Sequence, residues 1–388
     1  MSAVHVAVVG QFHLGAHRAH AINVVKTAGG FARLGCRTTL LCRLPKDCAV
    51  DDALRSYGES QLEIELAPAD LPCNEDPASP EAFARWAMER LTALAPDAVY
   101  ARHFHVAVAV AKQGLPTALE THAHVGDRNP ALLHALGAAR DAGPLDAIIT
   151  ISPVLADYYM ASGAAADRVH IVPDGVDMAL FEPLQQDESQ RCVKLTRRPR
   201  IVYAGHLYRY KGVYTLLEAA ALSPECDVLF VGGAPEDVHA LEDAAAQGAI
   251  TNARCVGMVA HAQLPEYLWS ADVLVLPPSA NHPSARWTSP VKLGEYLASG
   301  RPIVASRIEA LERLVEPPLV HWCKPDDPAD MAKTINTALR VSPAKQISHA
   351  KLRQERARAY AYPARAQRIL DAMRSNSVTL ATTRLGCS

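Results

Sequence analysis

The 388-residue chain has no apolar run approaching the ~20 residues needed to cross a bilayer, so no segment reads as membrane-spanning. It has no Cys-x-x-Cys pair, and its nine cysteines are an odd number scattered along the chain, which reads as free thiols in a reducing compartment. Neither charge is in excess, with 39 basic and 41 acidic residues, which gives no general reason to expect nucleic acid as a partner. The first apolar stretch is not followed by Gly-x-Gly-x-x-Gly; only Gly10 and Gly15 stand there, which disfavours a dinucleotide-dependent enzyme. The amino-terminus reads as a strand and not as a basic segment leading into an apolar one, so a cytoplasmic location is expected.

What is present is an alternation of short apolar stretches with helical patterns. Residues 4–10 are β-branched and apolar, as a strand covered on both faces should be. Residues 16–34 carry Ala21, Val24, Val25, Ala28, Phe31 and Leu34 at helical spacing, stopped by Gly35 before a strand over 38–42. An acidic, Pro-rich loop (68–80), a helix (80–94), apolar segments ending in 99–105 and 117–124, a helix (128–142), a strand (147–152), a helix (153–162) and a last strand with its turn (169–177) continue the pattern. Residues 183–199 are polar and read as a linker. From residue 200 the alternation restarts, with strands expected over 200–205, 227–233, 253–259 and 273–276. Such alternation predicts an α/β protein with parallel sheets, and 388 residues exceed what one core usually supports. A helix over 326–339 is followed by a basic, Ala-rich helical stretch over 344–374. Its charges alternate with Gln and with Glu355, which reads as a solvated face, and contact with an anionic membrane surface is the alternative.

One segment organises the second half. In residues 289–300, Ser289 is expected to cap a short helix, Pro290 to take its first position, and Gly300 the left-handed residue past its end. The helix lies between the apolar strands 273–276 and 302–305, so its amino-terminus should sit at the carboxyl ends of parallel strands, where amides and dipole favour a phosphate. Glu295, about one and a half turns in, can accept two hydrogen bonds from a ribose diol; a solvated glutamate is the plain alternative. Upstream, the glycine-bounded loop 205–212 carries Arg209 and Lys211, able to neutralise a diphosphate or simply to be solvated. In the first half, His103 with His105 and His122 with His124 are spaced as metal-ligand pairs, but no third ligand is apparent, and polar loop residues are the other reading. His122, at a strand's carboxyl end, is the better placed to face a substrate.

These residues resemble the glycosyltransferases of family 4, retaining enzymes built from two facing Rossmann-like domains with parallel sheets (the GT-B arrangement) and an active site in the interdomain cleft. The resemblance spans nearly the whole chain and is most specific in residues 203–213, 271–277 and 288–306. It implies an amino-terminal, acceptor-side domain over 1–183, a linker over 184–199, a donor domain over 200–343 and a carboxyl-terminal helical segment over 344–388 that packs back on the first domain. Lys211 would contact the donor diphosphate, Gly205 and His206 belong to the same loop, and Thr288, Ser289, Pro290 and Val291 would border phosphate and sugar. Glu295 would hold the ribose, with Val256, Gly257 and Leu264 lining the base. In the first domain, Glu120 and His122 resemble the strand end whose histidine reaches the transferred sugar, and Gly15 the loop beneath the diphosphate. His17, His20 and Asn23 would border the acceptor.

Two positions depart from the family pattern: His206 stands where Arg often follows the loop glycine, and Trp287 where a second Glu often precedes the helix. Arg209 would then complete the diphosphate clamp with Lys211, and Asn281, His282 or Thr288 would meet the sugar hydroxyls. The implied activity is retaining hexosyl transfer from a UDP- or GDP-linked sugar to a hydroxyl of a glycan, lipid-linked or small-molecule acceptor. Asp-x-Asp occurs nowhere in the chain, so no metal and no cofactor are expected, protein cations taking that role. A nucleotide-sugar epimerase of the same architecture and a non-catalytic sugar-nucleotide or glycan binder are the competing functions. Peripheral membrane contact is retained as an option.

Overall fold

The computed structural model describes residues 3–16, 18–46, 48–72, 78–124, 145–181 and 198–376. The chain divides into two compact units, one of residues 1–175 with 361–388 and the other of residues 176–360. The expected helix over 128–142 lies outside the described residues, as does the expected linker apart from Arg198 and Pro199.

The first unit is built on a seven-stranded sheet in the order β3-β2-β1-β4-β5-β6-β7. The strands are β1 (His5–His13), β2 (Arg37–Arg43), β3 (Glu63–Ala67), β4 (Ala98–Ala101), β5 (Thr117–Thr121), β6 (Ala147–Thr150) and β7 (Val169–Ile171). All pairings are parallel, with Val6 opposite Thr38 on one side and Ala98 on the other. Parallel strands need crossover helices, which cover both faces and explain why β1 reads as an unbroken apolar run. The first crossover helix is Ala19–Arg33. It begins later than the expected residue 16, because the chain turns at Leu14 and Gly15 and Arg18 is still extended (φ −89°, ψ 142°). Its Val24, Val25 and Phe31 share a core with Leu40 and Tyr100 and with Ile369, Leu370 and Met373 of the helix Tyr362–Asn376.

The second unit carries a six-stranded sheet in the order β10-β9-β8-β11-β12-β13. Its strands are β8 (Arg200–Ala204), β9 (Asp227–Val231), β10 (Ala253–Gly257), β11 (Val273–Leu276), β12 (Ile303–Ser306) and β13 (His321–Cys323), all parallel. Alternate side chains enter two separate cores. Val202, Leu274, Leu276 and Ile303 pack on one face, and Ile201, Val273, Val275 and Val304 on the other. In both sheets the strand order reverses beside the first strand, between β1 and β4 and between β8 and β11. Such a reversal opens a crevice at the carboxyl ends of the strands.

The basic carboxyl-terminal stretch forms two helices, Pro343–Arg358 in the second unit and Tyr362–Asn376 in the first, parted just before Pro363, which falls in the second helix's first turn where proline is tolerated. The reading of this stretch as a solvated face is corrected at two arginines. Arg353 is 1% exposed and donates to the Leu319 carbonyl at 2.7 Å, and Arg365 is 0% exposed. Their stems extend into the cores while buried acceptors satisfy the guanidinium groups. Among the described residues no helix is long and apolar enough to cross a membrane.

Candidate functional site

At the β8/β11 reversal, the loop after β8 and the loop after β11 are fastened together. Ser279 N–H donates to the Tyr210 carbonyl at 3.0 Å, and the Tyr210 ring stacks on His282 with centroids 4.1 Å apart. Gly212 has φ +76°, and a Cβ there would stand 1.6 Å from the Pro277 carbonyl oxygen, so no side chain fits where the loops cross. The stack continues outward from Tyr210 to Tyr208 (5.6 Å) and from Tyr208 to the exposed His206 (5.0 Å). Gly205 opens this loop, its N–H bonded to the Val231 carbonyl at 2.9 Å.

Lys211 ends the short 3-10 turn Arg209–Lys211. Burial lowers its pKa, its Nζ lies 5.2 Å from the centre of the Tyr210 ring, and among the described residues no carboxylate pairs with it. A cation desolvated without a counter-ion gains more from an anionic ligand than a solvated one does. Arg209 is turned elsewhere, exposed and with its guanidinium 4.0 Å over the Tyr214 ring.

The β11 loop leads into the helix Val291–Ser299. Here the capping expectation is corrected. Pro290, not Ser289, holds the cap position, and no side chain caps the helix. Pro290 is extended (φ −67°, ψ 124°) and its carbonyl takes the Leu293 N–H at 2.8 Å, so the chain enters through a tight turn that leaves Ser289 buried outside the helix. Proline at the cap position has no side-chain oxygen to offer the first amides. Thr288, Pro290 and Val291 are half-buried. At the far end Gly300 is left-handed (φ 71°), as expected.

Glu295 points inward, 2% exposed. Its Oε1 lies 3.0 Å from His261 Nε2 and its Oε2 2.8 Å from Lys292 Nζ. Burial by itself would raise the pKa, but Lys292 and then His261 outweigh it and hold the carboxyl at about 2. His261 follows the edge strand β10, where Val256 is exposed, the Gly257 carbonyl accepts the Gly232 N–H at 2.7 Å, and Leu264 is buried in the core.

In the first unit a second buried carboxylate, Glu120 at the end of β5, gathers partners from across the unit. Its Oε1 accepts from Asn23 Nδ2 (3.1 Å) and His122 Nε2 (2.6 Å), and its Oε2 from Tyr100 and Arg365. Arg102 stands 4.0 Å away. Burial favours the neutral acid, yet Arg365, His122 and Arg102 hold the carboxyl well below the usual range. Asp174, whose pKa burial raises, lies 3.8 Å from His122 Nε2. Asn23 also accepts the Gly175 N–H at 3.3 Å. His20 sits beside this cluster, its pKa lowered to about 4 by burial and by Arg102. Gly15 turns the chain after β1, against Cys48, and His17 lies outside the described residues.

Glu120, His122 and Asp174 bring ligand atoms within 4.8 Å of one another, so a third potential metal ligand does exist. Both Glu120 oxygens are already filled by donors, two each, and Arg365 supplies its countercharge, which leaves little for a metal ion to gain. The paired histidines have partners of their own. His124 stacks on Tyr158 (3.8 Å), and His103 caps the helix Phe104–Lys112 and bonds Gln11 at 3.1 Å.

The structure thus brings Asn23, Glu120 and His122 together in one unit, and the Lys211 loop against the approach to the Glu295 helix in the other. Sequence reasoning missed Arg365, Asp174, His261 and Lys292. Lys292 carried a signal, three residues before Glu295 on one helix, where side chains meet. His261 and Arg365 carried none, being 34 and 245 residues from their partners.

Two family models match this chain: "Glycosyltransferase Family 4" over residues 21–180 and "Glycosyl transferases group 1" over residues 198–340. The D-inositol 3-phosphate glycosyltransferase 1 of Catenulispora acidiphila is 30% identical over 167 residues, covering 39% of this chain and 38% of that protein. A D-inositol 3-phosphate glycosyltransferase of Xylanimonas cellulosilytica is 30% identical over 165 residues, with the same shares. The chain thus spans about two-fifths of the length of these curated relatives. Among solved structures, Anabaena HepE in complex with UDP and glucose superposes with a TM-score of 0.70 at 18% identity, covering 95% of this chain and 99% of that one. Sucrose-phosphate synthase of Thermosynechococcus elongatus does so with a TM-score of 0.71 at 19% identity, covering 96% and 98%. At these identities the likeness is one of fold, two parallel-sheet α/β units of the GT-B kind.

Proposed function

We propose a function from the premise that this chain belongs to the glycosyltransferases of family 4. It transfers a hexose from a nucleotide-diphosphate sugar to an acceptor hydroxyl, with retention at the anomeric carbon and without a divalent metal. One observation carries the reading: at the β8/β11 reversal a half-buried lysine with no carboxylate partner among the described residues shares a fastened loop pair with the start of the helix Val291–Ser299, whose cap residue is the proline Pro290. Cation and amides together stabilise the charge that grows on a departing diphosphate. Glu295 takes the ribose diol, Val256, Gly257 and Leu264 border the base, and His122 meets the transferred sugar. The acceptor oxygen bonds to the anomeric carbon on the face from which the diphosphate leaves, and the acceptor's proton passes to that diphosphate. UDP is the favoured nucleotide, in line with the UDP complex of the Anabaena protein, and a phosphorylated polyol is a first acceptor to try, in line with the names of the curated relatives. Free thiols at Cys36 and Cys226 support a cytoplasmic setting.

The test incubates the protein with UDP- and GDP-sugars, with and without inositol phosphate, in the presence of chelator. Release of nucleotide diphosphate with a product of retained configuration is expected. An isomerised sugar nucleotide would indicate an epimerase, binding without turnover a binding protein, and activity abolished by chelator would overturn the metal-free part.

A further inference from the structure

Among the described residues His122 is held at one ring nitrogen only. Nε2 lies 2.6 Å from Glu120 Oε1 and 3.8 Å from Asp174 Oδ1, while Nδ1 has no hydrogen-bond partner among the described residues. The side chain is 20% exposed, so it remains within reach of a ligand. What Nδ1 can do therefore depends on where the ring hydrogen sits, and Glu120 decides that.

A carboxylate has about four lone-pair positions and, when ionised, only accepts. All four on Glu120 are taken, Oε1 by Asn23 and His122 and Oε2 by Tyr100 and Arg365. A proton on Oε1 could keep the His122 contact only by making Nε2 the acceptor, and it would strip the fully buried Arg365 cation of its countercharge, which costs more than one hydrogen bond is worth. Glu120 therefore receives a hydrogen from His122, which must be the one on Nε2. A neutral imidazole has a single N–H, so Nδ1 is left with its lone pair. Arg365, from a helix otherwise remote from the site in sequence, supplies the countercharge that keeps Glu120 an acceptor.

We infer that Glu120, clamped by Arg365, is a positioning residue that fixes His122 as the Nε2–H tautomer and so makes Nδ1 an acceptor for a ligand hydroxyl. The inference deepens the role given to His122 under the proposed function and rests on that reading for the ligand alone. It selects for ligand groups that donate, such as sugar or acceptor hydroxyls, and against phosphate or carboxylate oxygens at this nitrogen.

The test is long-range proton–nitrogen NMR of the full chain labelled at histidine, the His122 signals being identified by their loss in His122→Gln. A protonated Nε2 with an unprotonated Nδ1 is expected; a protonated Nδ1, or a mixture of tautomers, would overturn the inference. Adding a sugar nucleotide should move the Nδ1 signal toward its hydrogen-bonded position, and nucleoside diphosphate alone should not. A shift with the diphosphate alone, or none with the sugar nucleotide and its acceptor together, would sink the acceptor role. Glu120→Gln should lose the tautomer preference and lower kcat on the order of 10- to 100-fold, as orienting partners of working histidines do, with donor KM nearly unchanged. If that variant does not fold, the wild-type spectrum alone decides. The tautomer is read without turnover, so an inactive protein with the expected tautomer would count against the proposed function and not against this inference.

Discussion

Glu120 and Glu295 look alike at first. Each is almost fully buried, each touches a histidine, and each is paired with a base. The difference lies in what is left over. Glu120 has both oxygens filled, two donors each, by residues from four separate segments, whereas Glu295 has one contact per oxygen, His261 on one and Lys292 on the other. A filled carboxylate is part of the framework and acts by positioning its neighbours; a half-filled one still has lone pairs for a ligand. The same contrast recurs at two Ser-Pro helix starts. Ser152 caps the helix Pro153–Ala161 by accepting the Leu155 N–H at 3.4 Å, and the helix Val291–Ser299 is left without a side-chain cap.

Stripping each carboxylate of its cation should have unequal consequences. Arg365→Met should cost roughly 3–5 kcal/mol, since it strands a buried negative charge, and the loss should appear as earlier urea unfolding. Lys292→Met should cost less, about 2 kcal/mol, because this lysine is 26% exposed and His261 remains on Glu295. Equal losses would erase the distinction between framework and ligand-facing carboxylate.

If the second unit is the open one, its variants should lose ligand before they lose stability. Lys211→Ala and Glu295→Gln should each weaken nucleoside diphosphate binding by about 2 kcal/mol in calorimetric titration, the usual worth of a hydrogen bond to a charged group. Unchanged affinity in both would remove the donor site from this loop pair.

Glu295 is depressed from its ordinary 4.5 to about 2, so the folded state gains stability from it above pH 4.5 and gives that stability up as pH falls toward 2. In Lys292→Met the largest charge holding Glu295 down is gone, and acid unfolding followed by circular dichroism should begin at higher pH. The smallest effect expected is at the helix start after β6: Ser152→Ala removes a side-chain cap and should cost about 1 kcal/mol of stability, read from urea unfolding.

Much of the fold could be read directly from the chain, because what specifies a strand or a helix is local. The apolar run at β11 faces two cores at once, so it must be covered on both sides, and that is visible as four consecutive aliphatic residues. Gly300 ends its helix where its backbone freedom allows, and the restart of strand-helix alternation near residue 200 foretold a second sheet. Ser289-Pro290 misled because a capping pattern names residue types and not the angle at which the chain enters the helix, which the tight turn at Pro290 sets.

The sequence by itself therefore determined the two parallel sheets, the loops at their reversals and the position of Glu295, all of which follow from periodicity and short-range chemistry. Only the tertiary structure decided which charges meet. Arg365 sits among basic residues that look alike in sequence, and nothing nearby marks it for Glu120, 245 residues away. A buried charge is settled by whichever opposite charge the fold carries into the same low-dielectric space, and that choice is made by packing between distant segments.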